Sequence, residues 1–274
     1  MEDYGHSKQQ WLEQFLELPK GIPSDDTFRR VFEHLDPHQF QQGFQSWIAS
    51  LARLLGATVV SLDGKTHRGS YNREQRQSAL QTVSAWASES RLMLGQMKVD
   101  SKSNEITAIP ALLELLDLSG CIITIDAMGT QKEIAQQIIE AQADYVLSLK
   151  GNHPTLYGQV SNWFAQAKTE ELAGVDYSYD ERVEAGHHRL ETRRIWCVPV
   201  AQMGGLYQQD QWAGLQTLVM VERTRRLWNQ TTHEVQFYLS SLKADAVKIG
   251  RAIRQHWGIE NQLHWTLDVT EARR

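Results

Sequence analysis

Three carboxylates stand where they could act together. Asp63 closes the apolar run VVSLD and Asp126 closes IITID, so each is delivered at the carboxyl end of a strand-like segment. Glu260 lies in RQHWGIENQLHW, a stretch with helical patterning late in the chain. In open α/β sheets ligands gather beyond the carboxyl ends of strands, where side chains converge from rigid supports. Two neighbouring carboxylates repel unless a cation sits between them, and an all-oxygen set suits Mg²⁺ or Mn²⁺ better than zinc. Taken singly, Asp63 and Asp126 also read as turn formers, since Asp-Gly after a strand is a common turn, and Glu260 as a solvent-facing helix residue. His256, Glu260 and His264 recur every four residues and share one α-helical face. That spacing lacks the HExxH arrangement, and three ligands along a straight helix are too far apart for one zinc ion.

These side chains need a scaffold, and the patterning supplies an α/β one. Residues 1–56 read as a helical segment. A first helix over QQWLEQFLEL stops at Pro19; a second is capped by Ser24 or Asp25; a third runs through Phe40, Trp47 and Leu55 to a closing Gly56. The period then shifts to that of strands. ATVVSLDGKT predicts a strand ending at Asp63 with a turn at Asp63-Gly64. ALQTVSAWAS and RLMLGQMKV predict a hairpin turning at Glu89–Arg91. Helix over 106–118, strand CIITI, helix over 132–141, strand ADYVLSL ending at Lys150 and helix over 155–167 complete the first part of a core, residues 57–168. Residues 169–243 then read as a β-rich insertion with strands ETRRIWCVPV, GLQTLVMVER and HEVQFYLSSL, in which Trp196 and Trp228 are core residues. Residues 244–274 return to helix and complete the core. The expected fold is a mixed sheet flanked by helices, its antiparallel part first.

Composition narrows the class. In 274 residues, a hydrophobic fraction of 41%, a charged fraction of 22% and six prolines exclude collagen-like, coiled-coil and disordered chains. No run approaches the roughly 18 apolar residues of a membrane span, and the opening lacks a signal peptide's apolar core, so a soluble, cytoplasmic protein is expected. Cys121 and Cys197 sit in strand-like runs and read as buried free thiols suited to a reducing compartment. The net charge of −5 argues weakly against a nucleic-acid partner. It is unevenly spread: residues 1–50 carry eight carboxylates against four cations, whereas 182–194, 223–226 and 248–254 are locally basic and could hold a polyanion.

The strings IPSDDTFRRVFEHLDP, SLDGKTHRGS, KSNEITAIPALLELLDLSG, TIDAMGTQKEIA, DYVLSLKGN and HWGIENQLHWTLDV resemble the IS4-like insertion-sequence transposases, in their H-repeat-associated or ISAs1-type branch. The resemblance covers nearly the whole chain. It implies an RNase H-like fold with a β-rich insertion before the last helix. It also implies an Asp-Asp-Glu triad carried by Asp63, Asp126 and Glu260, holding two Mg²⁺ ions, or Mn²⁺, when DNA is bound. The implied activity is metal-dependent cleavage and joining of DNA at the ends of an insertion sequence, on double-stranded DNA and in a homodimeric paired-end complex. Lys65, Arg68, Lys150, His188, Arg189, Arg193 and His256 are the expected DNA contacts. The wider group's Tyr-x2-Arg-x3-Glu-x6-Lys signature is met only at the glutamate, since Ile253, His256 and Leu267 take the other positions. Relatives start earlier and continue further, so a chain shortened at both ends is expected. A Mg²⁺-dependent nuclease without joining and a noncatalytic DNA-binding remnant are the alternatives. Asn104 and Glu105 receive no role.

Overall fold

Two periodicities divide the chain, and the structure follows both. The computed structural model describes residues 1–55, 58–67, 80–99, 105–186 and 189–264, with the side chains of a few helical residues, Glu105 and Glu260 among them, left outside. Arg68, Asn104 and His188 lie outside the described residues, as does the closing Gly56. The chain forms two compact units, Met1–Trp47 and Ile48–Arg274.

The first unit is helical. Of the helix expected over QQWLEQFLEL, only α2 (Gln9–Leu12) forms, preceded by α1 (Glu2–Ser7). Segments this short make too few hydrogen bonds to offset the cost of nucleation, and the chain leaves helical geometry at Lys8. The helix α3 (Asp25–His34) starts as the sequence predicts, with the Ser24 hydroxyl accepting from the Thr27 amide at 3.4 Å. It stops before Pro37, which disfavours helical geometry in the residue ahead of it and itself opens α4 (Pro37–Leu55).

The second unit is built on one nine-stranded sheet. Its strands are β1 (Val59–His67), β2 (Leu80–Ala87), β3 (Leu92–Val99), β4 (Ile122–Ile125), β5 (Asp144–Leu149), β6 (Ser178–Gly186), β7 (Arg189–Pro199), β8 (Thr217–Arg226) and β9 (Thr231–Ser240). Their order is β3-β2-β1-β4-β5-β9-β8-β7-β6. The pairs β1–β4 and β4–β5 are parallel and all others antiparallel.

Alternation along the strands sorts the two faces. Val60, Leu62, Val83, Ile123, Ile125 and Leu147 point to one face, under α5 (Glu105–Glu114), α6 (Lys132–Glu140) and α7 (Pro154–Thr169). Those helices contribute Leu112, Ile134, Ile138, Val160 and Phe164 to that core. On the other face Val59, Ile122, Val146, Cys197, Val219 and Tyr238 form an apolar patch. Ile249, Ala252 and Ile253 of α8 (Ala246–Gly258) seal it. Gly250 permits this approach, since a Cβ there would fall 2.4 Å from Ile195 Cδ1. Both cysteines are buried and neither is in a disulfide. Among the described residues no helix is long and apolar enough to cross a membrane.

Four further features, all in the second unit, depart from the sequence expectation. First, β1 does not end at Asp63: it runs to His67 because β2 pairs with it from Val60↔Ala87 to His67↔Leu80, and Asp63-Gly64 is carried through the ladder without turning. Second, β6 is unanticipated. Its sequence SYDERVEAG is mostly exposed and charged, and it forms by pairing along β7 at the sheet edge. Third, Trp228 is not a core residue; it sits 91% exposed at the β8–β9 turn, whereas Trp196 is buried as expected. Fourth, α8 stops at Gly258 and continues as a π-helix over Ile259–His264. The segment from His256 to His264 is therefore not one regular α-helix, because a π turn takes in an extra residue.

Candidate functional site

The face covered by α8 changes character along the strands. Near the amino ends of β1, β4 and β5 it is apolar. Two residues further on each strand places a small hydroxyl, and two beyond that a charge: Ser61 and Asp63, Thr124 and Asp126, Ser148 and Lys150. The parallel register aligns Ser61 with Thr124 but Thr124 with Val146, so on β5 the same pattern is displaced by two residues toward the carboxyl end. The end of α8 reaches these residues, with His256 against Thr124.

The result is a cleft of about 130 Å³ lined by Asp63, Asp126, Lys150, Gln236, His256 and Trp257 among others. Asp63, Asp126, Lys150 and His256, drawn from four separate segments, thus share one cavity. Asp126 is fixed by its loop: its Oδ1 accepts from the amides of Met128 at 3.1 Å and Gly129 at 3.2 Å. Gly129 is required there, since a Cβ would fall 2.4 Å from Ile125 Cγ2 and 2.7 Å from Ile109 Cδ1. Asn152 donates to the Ala127 carbonyl at 2.6 Å, fastening the same loop to the one after β5. Asp63 Oδ1 accepts from the Gly64 amide at 2.9 Å.

Three consecutive residues pin the end of α8. Ser88 donates to the Gln255 carbonyl at 2.7 Å, and the Gln255 amide donates to Glu89 at 2.9 Å. Glu89 also accepts from Thr58 at 2.8 Å and pairs with Arg251. The Gln255 and Thr58 hydrogen bonds, with Arg251, hold the Glu89 carboxyl below its ordinary range. His256 Nδ1 lies 2.9 Å from Thr124 Oγ1, which in turn donates to Ser61 Oγ at 3.0 Å. With Thr124 donating to Ser61, the imidazole donates through Nδ1–H, which sets its tautomer. Arg254 reaches Glu184 at 3.4 Å. Beyond this clamp Ile259 and Leu263 pack on Trp86, anchoring the π-helix that contains Glu260. The Glu260 side chain itself lies outside the described residues.

The other expected contacts scatter. Lys65 is only 7% exposed, on the Asp63 face of β1 and paired across to Thr82 in register, so it is a buried neighbour of the cleft floor and not a surface cation. Arg189 and Arg193 line a second cleft on β7 and β8. Sequence reading passed over Ser61, Thr124, Gln236 and Trp257. The signal for the first two was present: VSLD, ITID and LSLK repeat one pattern of hydroxyl, aliphatic and charge in three neighbouring strands.

Among the described residues no group of three metal-ligating side chains occurs. Asp63 and Asp126 are hard oxygen donors in a cleft whose described lining holds no sulfur and whose imidazole, that of His256, is held by Thr124, a donor type that fits Mg²⁺ or Mn²⁺.

Comparison with known proteins identifies the family. The Transposase DDE domain model matches residues 54–274, and the DDE_Tnp_1-associated model matches residues 1–48. The chain is 45% identical over 249 residues to "Uncharacterized protein in dhlA 3'region" of Xanthobacter autotrophicus, covering 89% of this chain and 80% of that protein. It is 38% identical to "Putative transposase YncI" of Escherichia coli O157:H7, covering 98% and 69%. It is 37% identical to "H repeat-associated putative transposase YhhI" of Escherichia coli strain K12, covering 98% and 71%. With the cleft lying inside the matched region, this chain belongs to the Transposase DDE domain family.

Proposed function

We propose that this chain cuts and joins DNA at the ends of an insertion sequence by metal-dependent phosphoryl transfer, with Asp63, Asp126 and Glu260 as the acidic triad. One observation carries the reading: Asp63, Asp126, Lys150 and His256 line a single cleft beside the middle of β1 and beyond the carboxyl ends of β4 and β5. The sheet order supports an RNase H-like core, with antiparallel β1–β3 followed by parallel β4 and β5 and α8 across the face that holds the acids. On this reading β6–β9, within residues 169–243, are the β-rich insertion, and residues from 244 onward return to complete the core.

Asp63, Asp126 and Glu260 would hold divalent ions. When bound, such ions make a water or a 3′-hydroxyl more nucleophilic and stabilise the leaving 3′-oxygen. The chain's own groups do the positioning. Lys150, exposed at the end of β5, offers a cation to a non-bridging phosphate oxygen. His256, held by Thr124 and Ser61, borders the cleft with a fixed imidazole. Strand cleavage breaks the P–O3′ bond and leaves a 3′-hydroxyl. Joining forms a new P–O3′ bond to target DNA and releases the target's own 3′-hydroxyl, so no covalent link to protein is needed. A homodimer would hold two ends at once.

The test incubates the chain and its Asp126→Asn variant with duplexes that carry the DNA flanking its reading frame on either side, with Mg²⁺ or Mn²⁺. Cleaved and joined products from the parent chain alone are expected. Cleaved but never joined ends would favour a nuclease. Binding without cleavage by either chain would favour a noncatalytic DNA-binding protein, and equal cleavage by both would end the proposal.

A further inference from the structure

Beside the acidic cleft lies a second one of about 210 Å³, lined by Arg189, Arg193, Arg223, Arg225 and Arg254 around Glu191. Gln236, Ile253 and Trp257 line both clefts, so the two adjoin across one wall. The arginines come from β7, β8 and α8, and their convergence follows from strand register. Arg193 lies opposite Arg223 and Glu191 opposite Arg225, all on the face where α8 packs, so each sits in a cross-strand row. Like charges in a row repel, and the fold compensates with acids placed among them.

Glu234 of β9 pairs with Arg223, and the two acids at the other guanidiniums differ in kind. Glu191 is 3% exposed and serves three guanidiniums: it pairs with Arg193, accepts from Arg225 Nε at 3.0 Å, and lies 4.0 Å from Arg189 Nε. Burial works to raise its pKa, yet the Arg193 and Arg225 hydrogen bonds and charges bring it below the ordinary range, so it stays ionised. A buried carboxylate in this position fixes where the guanidinium forks point. Glu184 is different. It stands on the edge strand β6, half exposed, and touches Arg193 and Arg254 at a loose 3.4 Å each. The Arg254 pair is half exposed on both sides and contributes little in water; Arg193 is only 16% exposed, but its distance to Glu184 is equally loose and Glu184 is the wet partner, so a phosphate can replace it.

Building on the reading above, we propose that this arginine cleft is a track for the backbone of duplex DNA leaving the acidic cleft, with Glu191 as a positioning residue and Glu184 as a removable cover that competes with phosphate. Five guanidiniums from two strands and a helix line this cleft, and phosphate, which they suit, carries position and not sequence. Trp257, already against Arg223 with 5.4 Å from guanidinium carbon to ring centroid, forms the step between the two clefts.

The test measures binding of the full-length chain to a fluorescein-labelled duplex of arbitrary sequence by anisotropy, in EDTA, over a range of salt. Arg225→Gln and Arg254→Gln should each weaken binding about 3- to 10-fold and lower the slope of log K against log salt by about 1. Arg29→Gln, an equal loss of charge on α3, should leave both unchanged. Glu184→Gln should tighten binding several-fold. Glu191→Gln separates charge from geometry: it adds net positive charge, so simple electrostatics predicts tighter binding, while a positioning role predicts weaker. If that variant does not fold, as read by thermal melting, Arg225→Lys replaces it, with weaker binding at unchanged slope expected.

Unchanged affinity in Arg225→Gln and Arg254→Gln would overturn the track. No gain in Glu184→Gln would overturn the cover, and tighter binding by Glu191→Gln, or unchanged binding by Arg225→Lys, would overturn the positioning role. Preference for duplex RNA of equal length would overturn the assignment to DNA. Because no metal is present, these outcomes stand apart from cleavage: a catalytically silent Asp126 leaves the track intact, and a failed track leaves the triad intact.

Discussion

Gly250→Ala tests whether the seating of α8 governs both stability and chemistry. Local propensity alone predicts a gain, since alanine is favoured over glycine inside a helix by about 1 kcal/mol. Packing predicts the opposite. The new Cβ would stand 2.4 Å from Ile195 Cδ1, roughly 1 Å inside ordinary carbon–carbon contact. Overpacking of a buried contact costs about 1–3 kcal/mol. The clashing atom is the end of one side chain, so the lower half of that range applies, and the net effect is a loss of about 0–1 kcal/mol. Ile195→Val removes the offending methyl at a cost of about 0.5–1.5 kcal/mol. The double variant should therefore be more stable than the sum of the singles by about 1 kcal/mol, a coupling that additive sites do not show. Urea denaturation at constant m measures each term. Cleavage by the folded Gly250→Ala protein should drop further than stability does, because lifting α8 strains the His256–Thr124 hydrogen bond. A single variant stabilised by the full helix propensity, with a strictly additive double variant, would falsify the account.

Two other outcomes follow from the same geometry. Thr124→Val leaves the shape intact but strips the buried Ser61 and the His256 ring of their shared partner; a loss of about 1–3 kcal/mol is expected in denaturation, with slower cleavage, and Thr124→Ser should restore both. Equal stability of the valine variant would mean that the relay contributes nothing. Acid should also destabilise the fold. Glu89, Glu191 and Glu234 all have folded pKa values below their ordinary 4.5, the last through its hydrogen bond from Arg223. Their stabilisation is complete above about pH 5 and is lost as pH falls through the lowered folded values. Melting temperature should fall below that pH, less steeply in Glu89→Gln, and parallel curves would count against these pairs.

Much of the architecture was legible because strongly patterned segments leave little choice. IITI between a glycine turn and Asp126, or DYVLSL before Lys150, reads as strand on any period count, and Ser24 announces α3. What the sequence hid is what neighbours decide. The Asp63-Gly64 pair has the chemistry of a turn, and only eight paired residues of β2 keep it extended. The strand β6 has no apolar alternation because both its faces are largely wet, so its pairing partner alone defines it. Trp228 belongs to a hairpin tip, and an aromatic type by itself does not say which end of a hairpin it occupies. In the site, charges at strand ends were visible one at a time. Glu191 was not, since a glutamate amid arginines in GHHRLETRR gives no sign that its side chain turns inward.

The junction of β5 with β9 bears on how the molecule is made. Tyr145 and Ser240, bonded across that junction, are 95 residues apart, while β1–β3 and β7–β9 are local meanders able to form early. At ordinary rates of synthesis β5 waits about 5–20 s for its second neighbour. During that interval one edge of an almost wholly apolar strand is a template for any passing chain. A polypeptide ending anywhere before Thr231 keeps the edge bare for good, and aggregation is its expected fate.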